Sequence, residues 1–340
     1  MRKRNLGDRF MGVERMNQDP SKSKGVWPKM IQAVAQEYSG RGGVAVGVSG
    51  GADSVALAEA LWRVGANPEI WHFNHRWRGR WAVADAAWVR RWAEKRKLRF
   101  RLGRAGKAGR TGEGEAREGR WAFFVGQAQR SKVRELWLGH QEDDQAETVL
   151  MQLLRGAGPD GLAGISQRSK RGKLTIIRPW LRISRKKIRE GAEEVGLNWR
   201  EDATNEDRRG WRSRVRHQIF PYLEKVYGRD VKGVLGRTAE IFAGEKEYWE
   251  TEIGKIPIHP DVREWRKKPL AWQRRAIRCW LMDRGYSGPS WGEIEGVRKL
   301  VQGGATLKAQ LRGNTGVGRS RNKLFWIKKM GLIAKGKPKC

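Results

Sequence analysis

The chain has 340 residues, which at roughly 150 residues per domain predicts two domains, or three. Its 71 Lys and Arg residues against 37 Asp and Glu residues give a net charge of +34. So much charge of one sign excludes a protein that works on small neutral metabolites alone, and it favours nucleic acid as the partner. The apolar fraction of 39% excludes wholesale disorder.

Cysteine usage and hydropathy indicate a cytoplasmic protein. Cys279 and Cys340 are too few for a disulfide framework, a four-thiolate zinc site or an iron–sulfur cluster, and they favour a reducing compartment. The charged N-terminal segment lacks the apolar stretch of a signal peptide, and no 18 consecutive apolar residues occur. We therefore expect no membrane partner. The oligomeric state stays open, a homodimer included.

Strand and helix patterns alternate along the chain up to about residue 220. Short apolar runs predict strands at 43–48, 69–74, 98–102 and 135–139, separated by helical periodicity such as that at 83–96 and 114–130. Such alternation is typical of a parallel α/β sheet with crossover helices. Helical patterns then dominate at 217–250 and 269–284, with a shorter αβ segment at 290–328.

This change of pattern predicts the domain organisation. We expect a basic flexible N-terminus at 1–24, an α/β catalytic domain at 25–216, a smaller, mostly helical domain at 217–330 and a basic tail at 331–340.

A glycine-rich loop, GVSGGADS at residues 47–54, lies between the first predicted strand and the next helix. Its glycines allow several N–H groups to face one anion, and the helix N-terminus adds its dipole. The hydroxyls of Ser49 and Ser54 can donate to phosphate oxygens, and Asp53 fits if Mg²⁺ bridges it to the phosphates. The loop matches neither Walker A nor Gly-x-Gly-x-x-Gly, and a plain turn capped by Asp53 or Ser54 is the alternative.

An acidic cluster follows the fourth predicted strand, where residues 139–150 read GHQEDDQAETVL. Helical spacing places Asp143 and Glu147 one turn apart with Asp144 beside them. Because α/β sheets bind ligands at the carboxyl ends of their strands, the cluster indicates a functional site. The alternative is an acidic first helical turn stabilised by the helix dipole.

These two segments resemble the tRNA(Ile)-lysidine synthetase family of the N-type ATP pyrophosphatases. SGGADS resembles the pyrophosphate loop, and the run from His140 to Thr148 resembles the family motif His-x-x-Asp-Asp-Gln-x-Glu-Thr, followed by LRGAGPDGL at 154–162. The resemblance is dense over residues 40–225 and loose over 226–330. It implies an adenine nucleotide alpha hydrolase-like, Rossmann-like first domain and a second domain that binds tRNA and sets substrate specificity.

Further segments match the family in the same order, with departures. They are His75 and Arg78, where Arg76 and Trp77 replace Gly and Leu; Glu113 with Ala116 to Trp121, where Trp replaces Tyr; Arg178 to Leu181; Glu201 to Asn205; and Trp211 to His217, where Ser213 replaces Asn. The departures leave open the backbone geometry at Arg76 and the role of the lost Asn side chain.

The resemblance implies an ATP-dependent ligation of free lysine to the wobble cytidine of tRNA(Ile) with a CAU anticodon. Cytidine O2 is adenylated with loss of pyrophosphate, and the lysine ε-amine then displaces AMP from C2. The modified tRNA reads AUA instead of AUG. ATP is the implied co-substrate, and Mg²⁺ the implied metal.

The resemblance and the chemistry above assign roles to individual residues. The predicted catalytic residues are Asp53, Arg117, Asp143, Asp144 and Glu147; the ATP site comprises Ser49, Gly50, Gly51, Ala52, Asp53, Ser54, His75 and His140; Asp53 holds Mg²⁺; Asp144 and Glu147 bind lysine; and Arg120, Arg212, Arg214 and Arg216 bind tRNA. Which carboxylate binds the lysine ammonium and which accepts its proton stays open.

Other functions and other roles for these residues remain as alternatives. A tRNA thiolation enzyme shares the loop and the basic surface but needs a persulfide cysteine or a cluster, which Cys279 and Cys340 do not match. A glutamine-dependent synthetase leaves the charge of +34 unexplained, and the intact loop and acidic cluster argue against a non-catalytic RNA-binding protein. Arg117 and Arg120 also fit a solvated helix face. A zinc site would draw on irregularly spaced histidines without cysteine partners: His72, His75, His140 and His217.

Overall fold

The computed structural model describes residues 25–76, 80–106, 113–201, 210–305 and 307–328. Within these ranges the chain forms two compact units, one ending at Ala243 and the other beginning at Gly244. The predicted terminal segments 1–24 and 331–340, together with Trp77, Arg78 and the matched residues 202–205, lie outside the described residues. None of the described helices is long and apolar enough to cross a membrane.

Six strands form the sheet of the first unit. They are β1 (Gly43–Gly47), β2 (Glu69–Asn74), β3 (Phe100–Arg104), β4 (Val133–Leu138), β5 (Arg168–Arg171) and β6 (Leu174–Ile177). Their order is β3-β2-β1-β4-β6-β5, and every neighbouring pair is parallel except β5 and β6. The predicted parallel α/β sheet is confirmed. The antiparallel β5–β6 hairpin adds an edge that the sequence did not predict.

Helices connect these strands and continue after them. They are α1 (Val26–Glu37), α2 (Ala52–Arg63), α3 (Arg80–Lys95), α4 (Glu113–Ser131), α5 (Glu142–Leu153), α6 (Pro159–Leu162), α7 (Arg185–Glu194), α8 (Trp211–Arg214), α9 (Phe220–Tyr227) and α10 (Val231–Ile253). A π-helical turn, Val215–Ile219, joins α8 to α9.

Apolar layers cover both faces of the sheet. Val44 and Val46 of β1 pack into the layer formed with α1, α2, α3 and α7, whereas Ala45 packs into the layer on the α4 side. A strand buried on both faces is typical of parallel sheets. Trp121, which replaces a Tyr of the family, is 5% exposed in the second layer, and its ring meets that of Phe124 edge-on at 5.9 Å. It is therefore a core side chain.

Arg76 occupies the position where the family has glycine, and its φ of +61° explains that glycine. A left-handed backbone costs a residue with a Cβ about 1–2 kcal/mol. Two hydrogen bonds support it here: the Arg76 N–H donates to Asn74 Oδ1 at 2.7 Å, and Arg76 Nη1 donates to the Gly106 carbonyl at 3.2 Å. The departure therefore keeps the turn and replaces glycine's conformational freedom by local hydrogen bonds.

The predicted domain boundary at residue 217 falls inside the first unit. Val215 and Phe220 pack against Ala146 and Leu150 of α5. The π-helical turn and α9 are thereby tied to the α/β unit, and the two units divide within α10.

The second unit combines helices with a small sheet. Its further elements are α11 (Val262–Arg266), α12 (Leu270–Met282), α13 (Trp291–Gln302), β7 (Lys308–Leu311), β8 (Thr315–Ser320) and β9 (Lys323–Ile327). The three strands pair antiparallel in the order β7-β8-β9, and Trp280, Leu300 and Val317 lie in the core between sheet and helices. The smaller second domain is confirmed, and its sheet accounts for the αβ pattern at 290–328.

Candidate active site

The strand order changes direction between β1 and β4, and we call the carboxyl edge of the sheet at this switch point the crevice. The chain runs from β1 outward to β2 and β3 on one side, and β4 then lies on the other side of β1. Open α/β sheets bind their ligands at such a switch point. The predicted phosphate-binding loop follows β1, and the predicted acidic cluster follows β4.

The loop after β1 is held in shape by its own serines. Ser49 N–H donates to Ser54 Oγ at 3.1 Å, the two hydroxyl oxygens lie 3.1 Å apart, and Ser54 Oγ donates to the Gly51 carbonyl at 3.0 Å. Gly50 has a φ of +106°, a conformation that side chains rarely permit. This geometry suits a loop that cradles an anion at the start of α2.

Gly139 brings the end of β4 against this loop. A Cβ at Gly139 would lie 2.8 Å from the carbonyl oxygen of Asp53 and 3.0 Å from its carbonyl carbon. Only glycine therefore allows the two backbones to approach so closely. The residues that follow Gly139 are placed beside the loop as a result.

Asp53, at the start of α2, is the most weakly paired of the four predicted catalytic acids. Its closest described cation is Arg185, whose Nε lies 3.8 Å from Asp53 Oδ2. Burial raises the pKa of Asp53 to about 6; Arg185 opposes this increase, and the negative charge of Asp144 adds to it. A further cation at Asp53 would therefore be stabilised.

Asp143 and Asp144 lie in the first turn of α5, and Asp144 also caps it. The Gln141 side chain accepts the Asp143 N–H at 2.5 Å, while Asp144 Oδ2 accepts the Gln141 N–H at 3.3 Å. Burial would raise the pKa of Asp143, but the Arg185 N–H at 3.1 Å and Lys232 Nζ at 3.1 Å lower it. Both Asp143 oxygens are thus paired, whereas Asp144 Oδ1 has only longer contacts, to Arg216 Nη2 at 3.5 Å and to Arg185 Nη2 at 4.0 Å.

Glu147 is buried one turn further along α5 and is bound by arginines from the segment after α7. Only 1% of its side chain is exposed. Arg216 of the π-helical turn donates to both carboxylate oxygens, at 2.6 and 3.0 Å, and Arg212 Nε lies 3.4 Å from Oε2. Arg216 Nη2 also lies 3.5 Å from Asp144 Oδ1. Two predicted tRNA-binding arginines therefore contact a predicted lysine-binding carboxylate.

A group of cations occupies the other side of the crevice. His140 Nδ1 lies 3.1 Å from Arg178 Nε, and burial together with the charges of Arg178, Arg120 and Arg117 lowers the pKa of His140 to about 4, against the opposing effect of Asp144. Burial and Arg120 likewise lower the pKa of His75 to about 4. Clustered cations of this kind favour a bound anion.

Arg117 and Arg120 lie three residues apart on α4, with Arg117 exposed and Arg120 half-buried. Burial, followed by the charges of Arg117 and Arg212, lowers the pKa of Arg120. Its Nε is buried without a hydrogen-bond partner in the described part of the chain. This unpaired donor distinguishes α4 from a plain solvated face.

The structure brings the predicted ATP-site residues and the predicted acids to one sheet edge. It also adds Arg185 and Lys232, which no motif singled out; only their charge, shared with many other residues, distinguishes them in sequence. Ser213, which replaces the family Asn, has a buried hydroxyl without a partner among the described residues. His72 Nδ1 lies 2.8 Å from the Val48 carbonyl, as expected of a structural histidine.

Two family models match the chain. The PP-loop domain matches residues 26–223, and the TilS substrate binding domain matches residues 261–325. The two matches fall in the first and second compact units respectively.

Curated relatives and a solved structure are similar to the chain. The tRNA(Ile)-lysidine synthase of Solibacter usitatus is 39% identical over 63% of this chain and 48% of that protein, and that of Thermosynechococcus vestitus is 32% identical over 79% and 82%. The chain thus spans about half the length of the first relative and most of the second. The U34-tRNA thiolase NcsA from Methanococcus maripaludis aligns with a TM-score of 0.51 at 20% identity, over 63% of this chain and 78% of that one. This last likeness concerns the fold alone.

Proposed function

The chain belongs to the tRNA(Ile)-lysidine synthase family, and from that premise we propose that it ligates free lysine to the wobble cytidine of a CAU-anticodon tRNA(Ile), using ATP. One observation carries the proposal. The phosphate-binding loop and the acidic start of α5 meet in a single crevice, where Gly139 lies against the Asp53 backbone. Activation of a nucleotide and capture of an amine need these two elements side by side.

The first step that we propose is adenylation of the cytidine. Its O2 attacks the α-phosphorus of ATP, the bond to the β-phosphate breaks, and pyrophosphate leaves. Negative charge on the phosphates would be met by N–H groups and hydroxyls at 49–54 and by the guanidinium groups of Arg117 and Arg120. The buried, unpaired Nε of Arg120 supports this role.

Mg²⁺ fits Asp53, which has the weakest pairing among the predicted catalytic acids. Mg²⁺ is usually held by one or two carboxylates together with phosphate oxygens. In the described ranges no three His, Cys, Asp or Glu side chains converge on one point, so the substrate phosphates would complete the coordination. When bound, Mg²⁺ would neutralise charge on the departing pyrophosphate.

The second step that we propose is attack of the lysine ε-amine on C2, with release of AMP. The ammonium must be bound and must lose protons before the nitrogen can form the new bond. We assign this role to Asp144, because Asp143 is paired with Lys232 and Glu147 with Arg216. Glu147 would then act on Asp144 indirectly, by holding Arg216 beside it.

The predicted tRNA-binding arginines differ in their availability to phosphate. Arg212 and Arg216 form ion pairs in the crevice, and Arg120 is half-buried. Arg214 is exposed, and its guanidinium lies over the ring of Trp211 at 5.2 Å. Arginine stacked on an exposed aromatic ring suits both phosphate and base contacts, so among these four we assign the tRNA backbone contact to Arg214.

A groove beside the edge strand β3 offers a further tRNA contact. It has a volume of about 600 Å³ and is lined by apolar side chains such as Val83 and Leu102 with arginines around them. Arg91 and Arg104 line it and form no ion pair or side-chain hydrogen bond with the residues that the structure describes. An apolar floor with unpaired guanidinium groups suits a nucleobase and its phosphates.

Because free lysine and tRNA are its proposed substrates, we place the protein in the cytoplasm.

The proposal is tested by separating the two steps. With ATP, Mg²⁺ and a CAU-anticodon tRNA, pyrophosphate should be released, and added lysine should allow AMP release. Asp144→Asn should raise the KM for lysine much more than the KM for ATP, and Glu142→Gln, in the same helical turn, should change neither. Pyrophosphate release that does not depend on tRNA would contradict the proposal. An equal increase in the KM for lysine and the KM for ATP in Asp144→Asn would mean that Asp144 serves the metal instead of the lysine.

A further inference from the structure

We propose that Arg178 is a positioning residue that fixes the tautomer of His140, so that a neutral imidazole presents its Nε2–H as a hydrogen-bond donor to a phosphate oxygen of the bound nucleotide. The inference rests on the proposed function for the identity of the ligand. The tautomer itself follows from the protein alone.

The chemistry of the two side chains dictates the direction of their hydrogen bond. Arg178 Nε lies 3.1 Å from His140 Nδ1. A guanidinium carries only donors and keeps its charge in proteins. Nδ1 must therefore accept, which requires that it carry no proton. The proton of the neutral ring is then on Nε2.

Arg178 cannot easily turn away from this contact. It is 8% exposed, and its Nη1 donates to the Ser166 carbonyl at 2.8 Å and to Ser169 Oγ at 3.0 Å. Both acceptors come from the β5–β6 hairpin and the segment before it. The hydrogen bonds of Nη1 thus fix the orientation of the guanidinium, and its Nε faces His140.

The charges that surround His140 keep its ring neutral. Arg178 faces it from the end of β6, Arg117 and Arg120 from α4, and Asp144 from α5. Burial and the three guanidinium groups outweigh the carboxylate, which is why the pKa of His140 falls to about 4. A ring that is neutral at physiological pH, with Nδ1 already accepting a hydrogen bond, acts neither as a general acid nor as a metal ligand through that nitrogen.

The remaining nitrogen is available to a ligand. His140 is half-buried, and its Nε2 forms no hydrogen bond with a described residue. His140 directly follows Gly139, whose backbone lies against that of Asp53 in the phosphate-binding loop. A neutral donor at this position adds a directed hydrogen bond to the phosphate among several full charges.

Nitrogen NMR of the full-length protein labelled with ¹⁵N-histidine tests the tautomer directly. The chain has five histidines, and the His140 signals are assigned by their loss in His140→Asn. We expect a proton on Nε2, none on Nδ1, and a ring that is still mostly neutral at pH 5. A wild-type ring protonated on Nδ1, or titrating near its ordinary pKa, would overturn the proposal without any variant.

Variants then test whether Arg178 is the cause. Arg178→Met should give a mixture of tautomers and raise the pKa of His140, whereas Arg178→Lys should restore part of the wild-type pattern. Arg168→Met is the matched control, because Arg168 belongs to the same hairpin but pairs with Glu37 at 2.7 Å; it should leave His140 unchanged. A wild-type tautomer in Arg178→Met would overturn the role of Arg178.

Addition of a non-hydrolysable ATP analogue with Mg²⁺ tests the donor role. The Nε2 signal should shift on binding in the wild type and shift much less in Arg178→Met. A bound analogue that leaves Nε2 unmoved overturns the donor role alone. If the analogue does not bind at all, the donor role is overturned because His140 has no ligand, and the result also counts against the proposed function. The tautomer of His140, which is measured without the analogue, is not affected by that outcome.

Discussion

The ion pair between Arg216 and Glu147 makes the sharpest energetic prediction. Arg216→Met removes two hydrogen bonds, of 2.6 and 3.0 Å, from a carboxylate of which 1% is exposed. Loss of one partner of a buried ion pair costs about 3–5 kcal/mol. Arg212 remains 3.4 Å from Glu147 Oε2 and offsets part of this cost. We therefore expect the free energy of unfolding to fall by about 3 kcal/mol, the lower end of that range.

The Glu147 carboxylate allows two further tests of this predicted loss of stability. Burial raises the pKa of Glu147 and the bonds from Arg216 lower it, so the folded variant should hold a proton to higher pH than the wild type. Its stability should therefore fall as pH rises, and the deficit should be larger at pH 8 than at pH 5. Glu147→Gln removes the charge as well, so the double variant with Arg216→Met should lose less than the two single losses added together.

The assay is hydrogen exchange of the α5 amides during a urea titration. Two compact units make a single global unfolding transition a poor measure, whereas exchange reports the opening of α5 itself. Arg168→Met removes a surface pair and should cost less than about 1 kcal/mol. Strictly additive losses in the double variant, or an Arg216→Met loss as small as that of the control, would refute the reasoning.

Three further predictions concern the loop, the metal and the tRNA. Gly139→Ala should weaken ATP binding at least tenfold in a calorimetric titration, because its Cβ would meet the Asp53 backbone, whereas Gly126→Ala, with open space around it, should not. Since burial raises the pKa of Asp53 to about 6, the affinity for Mg²⁺ should increase as pH rises through 6, and Asp53→Asn should abolish that pH dependence. Without metal, the free energy of unfolding should fall as pH rises between about 4 and 6, because the folded protein holds the Asp53 proton to higher pH than the unfolded chain does. Affinity for tRNA should fall steeply between about 50 and 200 mM salt, and Arg91→Gln with Arg104→Gln should reduce the slope by about two counterions.

The loop and the acidic turn could be predicted because each is a contiguous run of residues whose chemistry depends on local geometry. Gly50 and Ser54 shape the loop within a few residues, and the first turn of α5 follows from helical spacing. The parallel sheet could be predicted as well, since three of the four predicted strands, β1, β2 and β4, are short and largely buried runs, whereas β3 is mostly exposed or half-buried. Local patterns of this kind place the predicted strands to within two residues of their positions in the fold.

The partners of the charged side chains could not be predicted in this way. Arg216 and Glu147 are 69 residues apart, and an alternating run of arginines suits phosphate contacts as well as it suits a buried pair. The role of Arg178 depends on the β5–β6 hairpin, whose exposed strand β5 has no apolar pattern. The predicted boundary at residue 217 differs from the division of the two compact units at Ala243, because a helical segment can pack on either unit, and Val215 and Phe220 pack on α5.

The central claim is that lysine is joined to the wobble cytidine of a CAU-anticodon tRNA. The most direct measurement incubates the full chain with ATP, Mg²⁺, radiolabelled lysine and either that tRNA or the same transcript with uridine at the wobble position. We expect ATP-dependent label in the first RNA and none in the second. No label in either RNA, or equal label in both, would contradict the account.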